Sequence, residues 1–196
     1  MEAKLTKRQL QAKKTQDIIY KTAVRLMQSK GFDNITVEEI CHKAGVSIGS
    51  FYNCFKSKYD VLSAIFQEAD NYFLQIVSAK IRQFDNSTDK ILHFFKYYGD
   101  YNMRSGVDFV KHLFNARNNM FFTKGRPMQN VLQEIIHQGQ RAGEIRTDLT
   151  PEEISRYLFI AARGAVYDWC QHDGGYDLSA YLVRYMKLML TSIIAA

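Results

Sequence analysis

The 196-residue sequence has little of what breaks a chain into strands, crosses a membrane or cross-links a small fold. It contains two prolines, and few turn clusters interrupt its periodic apolar stretches, which favours an all-α protein. Its three cysteines, Cys41, Cys54 and Cys170, form no CxxC pair, so neither a disulfide framework nor a zinc knuckle is indicated. No apolar run approaches the roughly 18 residues of a membrane span. Because the start is also too polar for a signal peptide, we expect a cytoplasmic protein with no membrane partner.

Positive charge is present in excess, and it is concentrated in the first third of the chain. The formal net charge is +6; residues 1–60 hold eleven Lys and Arg against six Asp and Glu, and residues 61–196 hold fifteen against fourteen. A basic excess confined to one region is typical of a region that binds a polyanion, most often nucleic acid. A solvated basic surface would have the same composition, so charge alone leaves both interpretations open.

Apolar periodicity predicts three helices in the first 60 residues and a long helix after them. The first helix is predicted over about residues 7–30. The second begins at a capping box formed by Thr36 and Glu39, and the third is about two turns long and rich in aromatic residues. A fourth helix from residue 58 to residue 83 would be about 40 Å long.

The second and third helices, with a tight turn between them, have the spacing of a helix-turn-helix. Ala44 and Gly45 allow the two helices to cross closely, and Phe51 and Phe55 would pack into a core shared with the first helix. In this motif the second helix enters the major groove of DNA, while the first braces it across the backbone. The basic first third is therefore predicted to bind DNA.

The segment GFDNITVEEICHKAGVSIGSFYNCFKSKYDVL, Gly31 to Leu62, resembles the TetR family of bacterial transcriptional regulators. The shared pattern is a Gly-Phe pair, a Thr-capped helix, Ala-Gly-Val, a Gly-Ser-aromatic-Tyr core, an aromatic residue before Lys-x-Lys, and a leucine in the next helix. The rest of the chain is similar only in helix number and layout. The resemblance implies a three-helix DNA-binding domain over residues 1–60, a helical ligand-binding and dimerisation domain over residues 61–196, and about nine helices in all.

The resemblance also implies two kinds of contact with DNA. Thr36, Tyr52 and Lys58 would bind phosphates, which fixes orientation without reading sequence. Asn53 suits a bidentate contact to adenine, and a glycine in the third helix would let the backbone approach the duplex. The residues expected to read or lie against the bases are Ser47, Ile48, Gly49, Ser50 and Asn53.

Several of these residues have a second interpretation at this stage. Tyr52 could be a core aromatic, and Lys43 and Lys56 could be solvated surface lysines instead of contacts at the groove edge and the backbone. Cys54 stands where the family often has His or Tyr, so no phosphate contact is carried over to it. We expect it to be a buried, unreactive thiol.

Five more helices are predicted, over residues 88–103, 106–120, 127–142, 151–172 and 177–194. The last two carry wide apolar stripes, which would serve either the core of the chain or a partner. TetR-like proteins dimerise by packing two such helices from each subunit into a four-helix bundle, so the resemblance implies a homodimer on a palindromic operator. The interface residues expected from it are Tyr157, Ala161, Ala165, Trp169, Tyr181, Tyr185 and Met189.

The middle helices are rich in aromatic and Met residues, which fits either a core or an apolar ligand pocket. The resemblance favours a pocket for a small apolar or amphipathic ligand. Such a ligand would release the dimer from DNA by favouring a state in which the recognition helices are wrongly spaced. The candidate pocket residues are Phe94, Tyr98, Tyr101, Phe114, Arg117 and Asn118.

No constellation in the sequence suggests catalysis or a cofactor. Glu134 and His137 have the spacing of a carboxylate metal site, but no second pair accompanies them, so no metal is predicted. We find no paired nucleophile and base and no phosphate-cradling glycine loop. The leading hypothesis is a DNA-binding repressor released by a ligand; the alternative is an activator or chromosome-associated regulator without an inducer.

Overall fold

The computed structural model describes residues 6–114 and 119–194, and these residues are helical apart from turns and one isolated bridge between Ile145 and Ile194. A π-helical turn, Phe73–Val77, lies between the helices Lys58–Tyr72 and Ser78–Ile81, and a 3-10 turn covers Asn119–Phe122. If the run from Lys58 to Ile81 is counted once, the described residues contain nine α-helices, and the predicted all-α class is confirmed. The α-helices are α1 Lys7–Lys30, α2 Val37–Ala44, α3 Ile48–Cys54, α4 Lys58–Tyr72, α5 Ser78–Ile81, α6 Ser87–Ser105, α7 Val107–Leu113, α8 Pro127–Arg141, α9 Pro151–Gln171 and α10 Leu178–Leu190.

The chain divides into two compact units, one ending at Phe66 and the other beginning at Gln67. This boundary lies inside α4, whereas the sequence placed it between residues 60 and 61. The assignment of DNA binding to the first unit and of regulation and dimerisation to the second stays a prediction.

In the N-terminal unit, α1, α2 and α3 pack against one another around a small apolar core. Ile19 and Met27 of α1, Ile40 of α2 and Phe51 of α3 are fully buried. Helix α2 ends at Gly45, whose φ of 67° lies in the left-handed region that L side chains rarely adopt. This glycine allows the tight turn that brings α3 back across α2.

In the C-terminal unit, α6 packs against α10 and α8, and α9 packs against α8 and α10. Helices α6 and α10 approach closely at Gly99, because a Cβ built there would lie 2.7 Å from the Cα of Ser179. The Ser179 hydroxyl donates to the carbonyl of Lys96 at 3.1 Å. Helix α9 begins with a complete capping box between Thr150 and Glu153.

Two local predictions are wrong. The helix predicted over residues 106–120 ends at Leu113, because Phe114 leaves helical geometry with φ −89° and ψ 64°. The capping box at the start of α2 is only half formed. Thr36 Oγ1 accepts from the Glu39 N–H at 3.1 Å, but the Glu39 carboxylate pairs with Lys30 instead of returning to the cap.

Candidate DNA-binding surface and C-terminal ligand site

Helix α3 has one side in the core and one side open to solvent. Phe51 is fully buried, whereas Ile48 and Tyr52 are 46% and 53% exposed. Asn53 is exposed as well, and its side chain forms no hydrogen bond within residues 6–114 and 119–194. The outward side of α3 therefore consists of the side chains that the sequence predicted to meet DNA, and the core interpretation of Tyr52 is wrong.

The two serines of α3 are hydrogen-bonded to each other. Ser47 caps the helix by accepting from the Ser50 N–H at 3.1 Å, and the two hydroxyl oxygens are 2.9 Å apart. A Cβ added at Gly49 would find only the Ser47 hydroxyl within 4 Å, at 3.8 Å. Packing in the described residues therefore gives no reason for glycine at position 49, and close approach of DNA to this backbone stays a prediction.

Lys58 is engaged inside the N-terminal unit, which the sequence did not predict. Its ammonium donates to the carbonyls of Phe32 at 2.8 Å and Ile35 at 2.9 Å, and it lies 4.6 Å from the centre of the Phe32 ring. An ammonium has three protons to donate, so one remains for a phosphate. Lys58 thus ties the start of α4 to the segment that precedes α2.

The N-terminus of α2 already carries a negative charge. The hydroxyl of Thr36, which is exposed, bonds to Glu38, and the backbone N–H of Glu38 bonds to its own carboxylate. Both hydrogen bonds lower the pKa of the Glu38 carboxyl, and the bond from its own backbone N–H has the larger effect. A phosphate that binds at Thr36 would have to displace this carboxylate from the helix N-terminus.

The remaining residues of the motif are placed as surface or unreactive groups. Lys43 and Lys56 are exposed, and the backbone N–H of Lys56 donates to Asp60 at 2.7 Å. Cys54 is half-buried, and this burial raises the pKa of its thiol. Such a thiol stays protonated at neutral pH and is a weak nucleophile.

The predicted dimer interface is partly wrong. Ala165 and Trp169 are buried in the core of their own chain, and the indole N–H of Trp169 donates to the Tyr176 carbonyl at 2.9 Å. Tyr157 is 53% exposed and Ala161 is half-buried, so these two remain available to a partner.

The apolar surface that is open on α9 and α10 overlaps the predicted interface and keeps five of its seven residues. On α9 it consists of Tyr157, Ile160 and Tyr167, each exposed by at least half. On α10, Leu188 is 65% exposed, and the half-buried rings of Tyr181 and Tyr185 stack at 5.9 Å. We call this surface the α9–α10 face; its members are Tyr157, Ile160, Ala161, Tyr167, Tyr181, Tyr185, Leu188 and the half-buried Met189.

The described candidates for the ligand pocket lie in or against the core. Phe94 and Tyr98 are buried, and both rings pack against Phe159. Tyr101 packs against Tyr72 and Phe114 against Phe121, with both half-buried. The other two candidates, Arg117 and Asn118, lie outside the described residues.

A polar cluster lies inside this apolar unit. Arg126 forms a bidentate, buried pair with Asp70 at 2.9 and 3.1 Å, and the N–H of Met128 also donates to Asp70 at 3.2 Å. Burial raises the pKa of Tyr98 to about 12, against the opposing fields of Arg163 and Arg126. Burial also lowers the pKa of the Arg163 guanidinium. Sequence reasoning missed the cluster because Asp70 and Arg126 are 56 residues apart.

A groove of about 450 Å³ opens beside the π-helical turn, and none of the four described pocket candidates lines it. It is bounded by that turn, α5, the loop after α5, the start of α6, and α8. Its lining residues are Leu74, Ser78, Ile81, Arg82, Lys90, Asn130, Val131, Glu134, Ile135 and Gln138.

Across residues 6–114 and 119–194, no three His, Cys, Asp or Glu side chains are grouped so that they could hold a metal ion. In the same ranges, no helix combines the length and the hydrophobicity needed to cross a bilayer.

Comparison with known proteins identifies the N-terminal unit. Residues 19–65 match the family model described as bacterial regulatory proteins, tetR family. The chain is 25% identical over 185 residues to the fatty acid metabolism regulator protein of Bacillus subtilis, which covers 89% of this chain and 93% of that protein.

Solved structures share the fold of nearly nine-tenths of the chain. FadR of Bacillus subtilis, in complex with stearoyl-CoA, superposes with a TM-score of 0.75 at 22% identity over 88% of this chain and 96% of that one. FadR of Thermus thermophilus, a TetR-family repressor in complex with lauroyl-CoA, gives a TM-score of 0.67 at 22% identity over 89% and 93%.

Proposed function

The chain belongs to the tetR family of bacterial regulatory proteins, and from this premise we propose that it is a homodimeric repressor released from its operator by an acyl-CoA. DNA-binding regulation follows from the family itself. The observation that supports DNA binding is the outward side of α3, where Ile48, Tyr52 and Asn53 are exposed opposite the buried Phe51.

The proposed release by an acyl-CoA is supported by the relatives and by the chemistry of the C-terminal unit. The relative from Bacillus subtilis is a fatty acid metabolism regulator, and two structural neighbours are complexes with stearoyl-CoA and lauroyl-CoA. In this chain, the C-terminal unit combines a large apolar interior with the buried polar groups Tyr98, Asp70 and Arg126. An acyl thioester needs the same combination of apolar walls and a few polar anchors.

The homodimer is supported by the α9–α10 face. Contiguous exposed apolar side chains on a soluble protein mark interaction sites, and a helix-turn-helix usually reads two half-sites as a dimer. Two copies related by a two-fold axis would cover this face in both chains.

The proposal is tested on the full chain with an operator selected from a random DNA pool and with fluorescence anisotropy as the readout. Lauroyl-CoA is expected to weaken operator binding at least tenfold, whereas free CoA is not. Asn53→Ala is expected to relax preference at one base position, a change of about 1–3 kcal/mol there.

Two outcomes would contradict parts of the proposal. Operator affinity that is unchanged by saturating lauroyl-CoA would favour the alternative of a regulator without this inducer. Equal loss of affinity for all DNA sequences in Asn53→Ala would remove that residue from base reading and leave it a backbone contact.

A further inference from the structure

The groove beside the π-helical turn has an apolar floor. Ile81 and Ile135 form its buried part, and Val131 is half-buried next to them. Leu74 is exposed although it is a large apolar residue. Such a floor loses unfavourable contact with water when an apolar chain covers it.

The π-helical turn contains apolar side chains that are exposed. A π-turn is a local widening of an α-helix and is found frequently at functional sites. Within Phe73–Val77 it leaves Leu74 and Ile76 exposed, whereas Phe73 is fully buried and its ring lies 4.9 Å from that of Phe94. Phe73, in the aromatic interior, and Leu74, in the lining of the groove, are therefore consecutive residues of this turn.

The sides of the groove are positively charged on balance. Arg82 is exposed and Lys90 is half-buried, and neither forms a salt bridge to another residue in the described ranges. Lys90 also acts electrostatically on the nearby Glu144. Among the described lining residues, Glu134 is the one carboxylate, and it accepts from the Gln138 amide at 2.8 Å.

We propose that this groove seats the CoA part of the inducing ligand, with its phosphates on Arg82 and Lys90 and its pantetheine chain across Leu74, Val131 and Ile135. This inference rests on the acyl-CoA response proposed above. An apolar floor beside two cations without salt bridges is complementary to a chain that carries phosphates at one end. The acyl group would then enter the aromatic interior where Phe73 follows the groove.

The test measures binding to the full chain by isothermal titration calorimetry with two ligands. Lauroyl-CoA carries the phosphates, and lauroyl-pantetheine is the same thioester without them. The double variant Arg82→Gln, Lys90→Gln removes both charges, and Arg141→Gln is the matched control, because Arg141 is an exposed arginine of α8 that does not line the groove.

The double variant is expected to bind lauroyl-CoA about tenfold or more weakly, which corresponds to about 1.4 kcal/mol or more. Its affinity for lauroyl-pantetheine should stay within about twofold of the unchanged chain, since that ligand has no phosphate to lose. Arg141→Gln should bind both ligands as the unchanged chain does. Thermal melts of all variants check that folding is retained, which the exposed or half-exposed positions allow.

The remaining outcomes contradict either the groove proposal alone or both proposals. If the double variant binds lauroyl-CoA as tightly as the unchanged chain, or loses both ligands equally, the phosphates lie elsewhere and the groove proposal is wrong. In either case release of DNA by lauroyl-CoA would leave the proposed function standing. If the unchanged chain neither binds lauroyl-CoA nor releases DNA with it, both proposals are wrong.

Discussion

At the scale of single residues, Lys58 has a structural role in addition to the phosphate contact that was predicted for it. The family resemblance implied that Lys58, in the first turn of α4, binds a phosphate, but its ammonium donates to two backbone carbonyls at 2.8 and 2.9 Å. Those carbonyls belong to Phe32 and Ile35, which come just before the Thr36 cap. Lys58 therefore positions the start of α2, with one proton left for DNA.

Lys58→Met is expected to lower the free energy of unfolding by about 1–3 kcal/mol, because two buried or half-buried carbonyls lose a charged donor. Chemical denaturation of the full chain, followed by circular dichroism, measures it. The contrast is Tyr52→Phe, which removes an exposed hydroxyl and should leave stability unchanged while it weakens binding to all DNA sequences evenly.

The salt dependence of DNA binding separates the two roles of Lys58. A lost phosphate contact lowers the slope of log K against log salt by about 0.9, whereas a positioning residue leaves it unchanged. An unfolding free energy of Lys58→Met equal to that of the unchanged chain would contradict the positioning role.

Residue roles were predictable where they depend on local spacing and not where they depend on distant partners. The exposed side of α3 follows from its helical period, with Phe51 inward and Tyr52 outward. The partners of Lys58 are 26 and 23 residues away. No periodic pattern in the sequence records such a contact.

At the scale of elements, the approach of α6 to α10 depends on a missing side chain. A Cβ at Gly99 would lie 2.7 Å from Ser179 Cα and 2.9 Å from Ser179 N. Both are backbone atoms, which cannot turn aside as the end of a side chain can. The two helices would therefore have to separate.

Gly99→Ala is expected to destabilise the chain by about 1–3 kcal/mol, the usual cost of overpacking a core. Gly49→Ala is the control, because its new Cβ would meet only a side-chain oxygen at 3.8 Å and alanine favours a helix. It should leave stability unchanged or slightly higher. Thermal melts of the two variants compare them directly, and equal melting temperatures would contradict the close approach.

The α9 error has a geometric cause. On α9 the predicted interface consisted of residues spaced by four, namely Tyr157, Ala161, Ala165 and Trp169. Such a row turns by about 40° at each step around a helix of 3.6 residues per turn. It therefore starts on the exposed side, at Tyr157, and ends in the core, at Trp169. Because the apolar stripe of α9 is wide, its period identified the helix but not the side that faces the chain's own core.

At the scale of the whole molecule, the proposed homodimer would form through the α9–α10 face. Ile160 lies on that face and is 50% exposed. In a symmetric dimer each copy would bury its own Ile160, so a change at this position acts twice. A carboxylate placed there would have to be desolvated without a partner, which costs several kcal/mol.

Ile160→Asp is therefore expected to convert the dimer into monomers of 22.7 kDa, measured by sedimentation equilibrium. Affinity for a palindromic operator should fall at least a hundredfold, because the two half-sites are then bound independently. Ile18→Asp is the matched control, since Ile18 is 48% exposed on α1, outside the α9–α10 face, and its variant should stay dimeric. A dimeric Ile160→Asp would place the interface on another surface, and an unchanged chain that sediments as a monomer would contradict the homodimer itself.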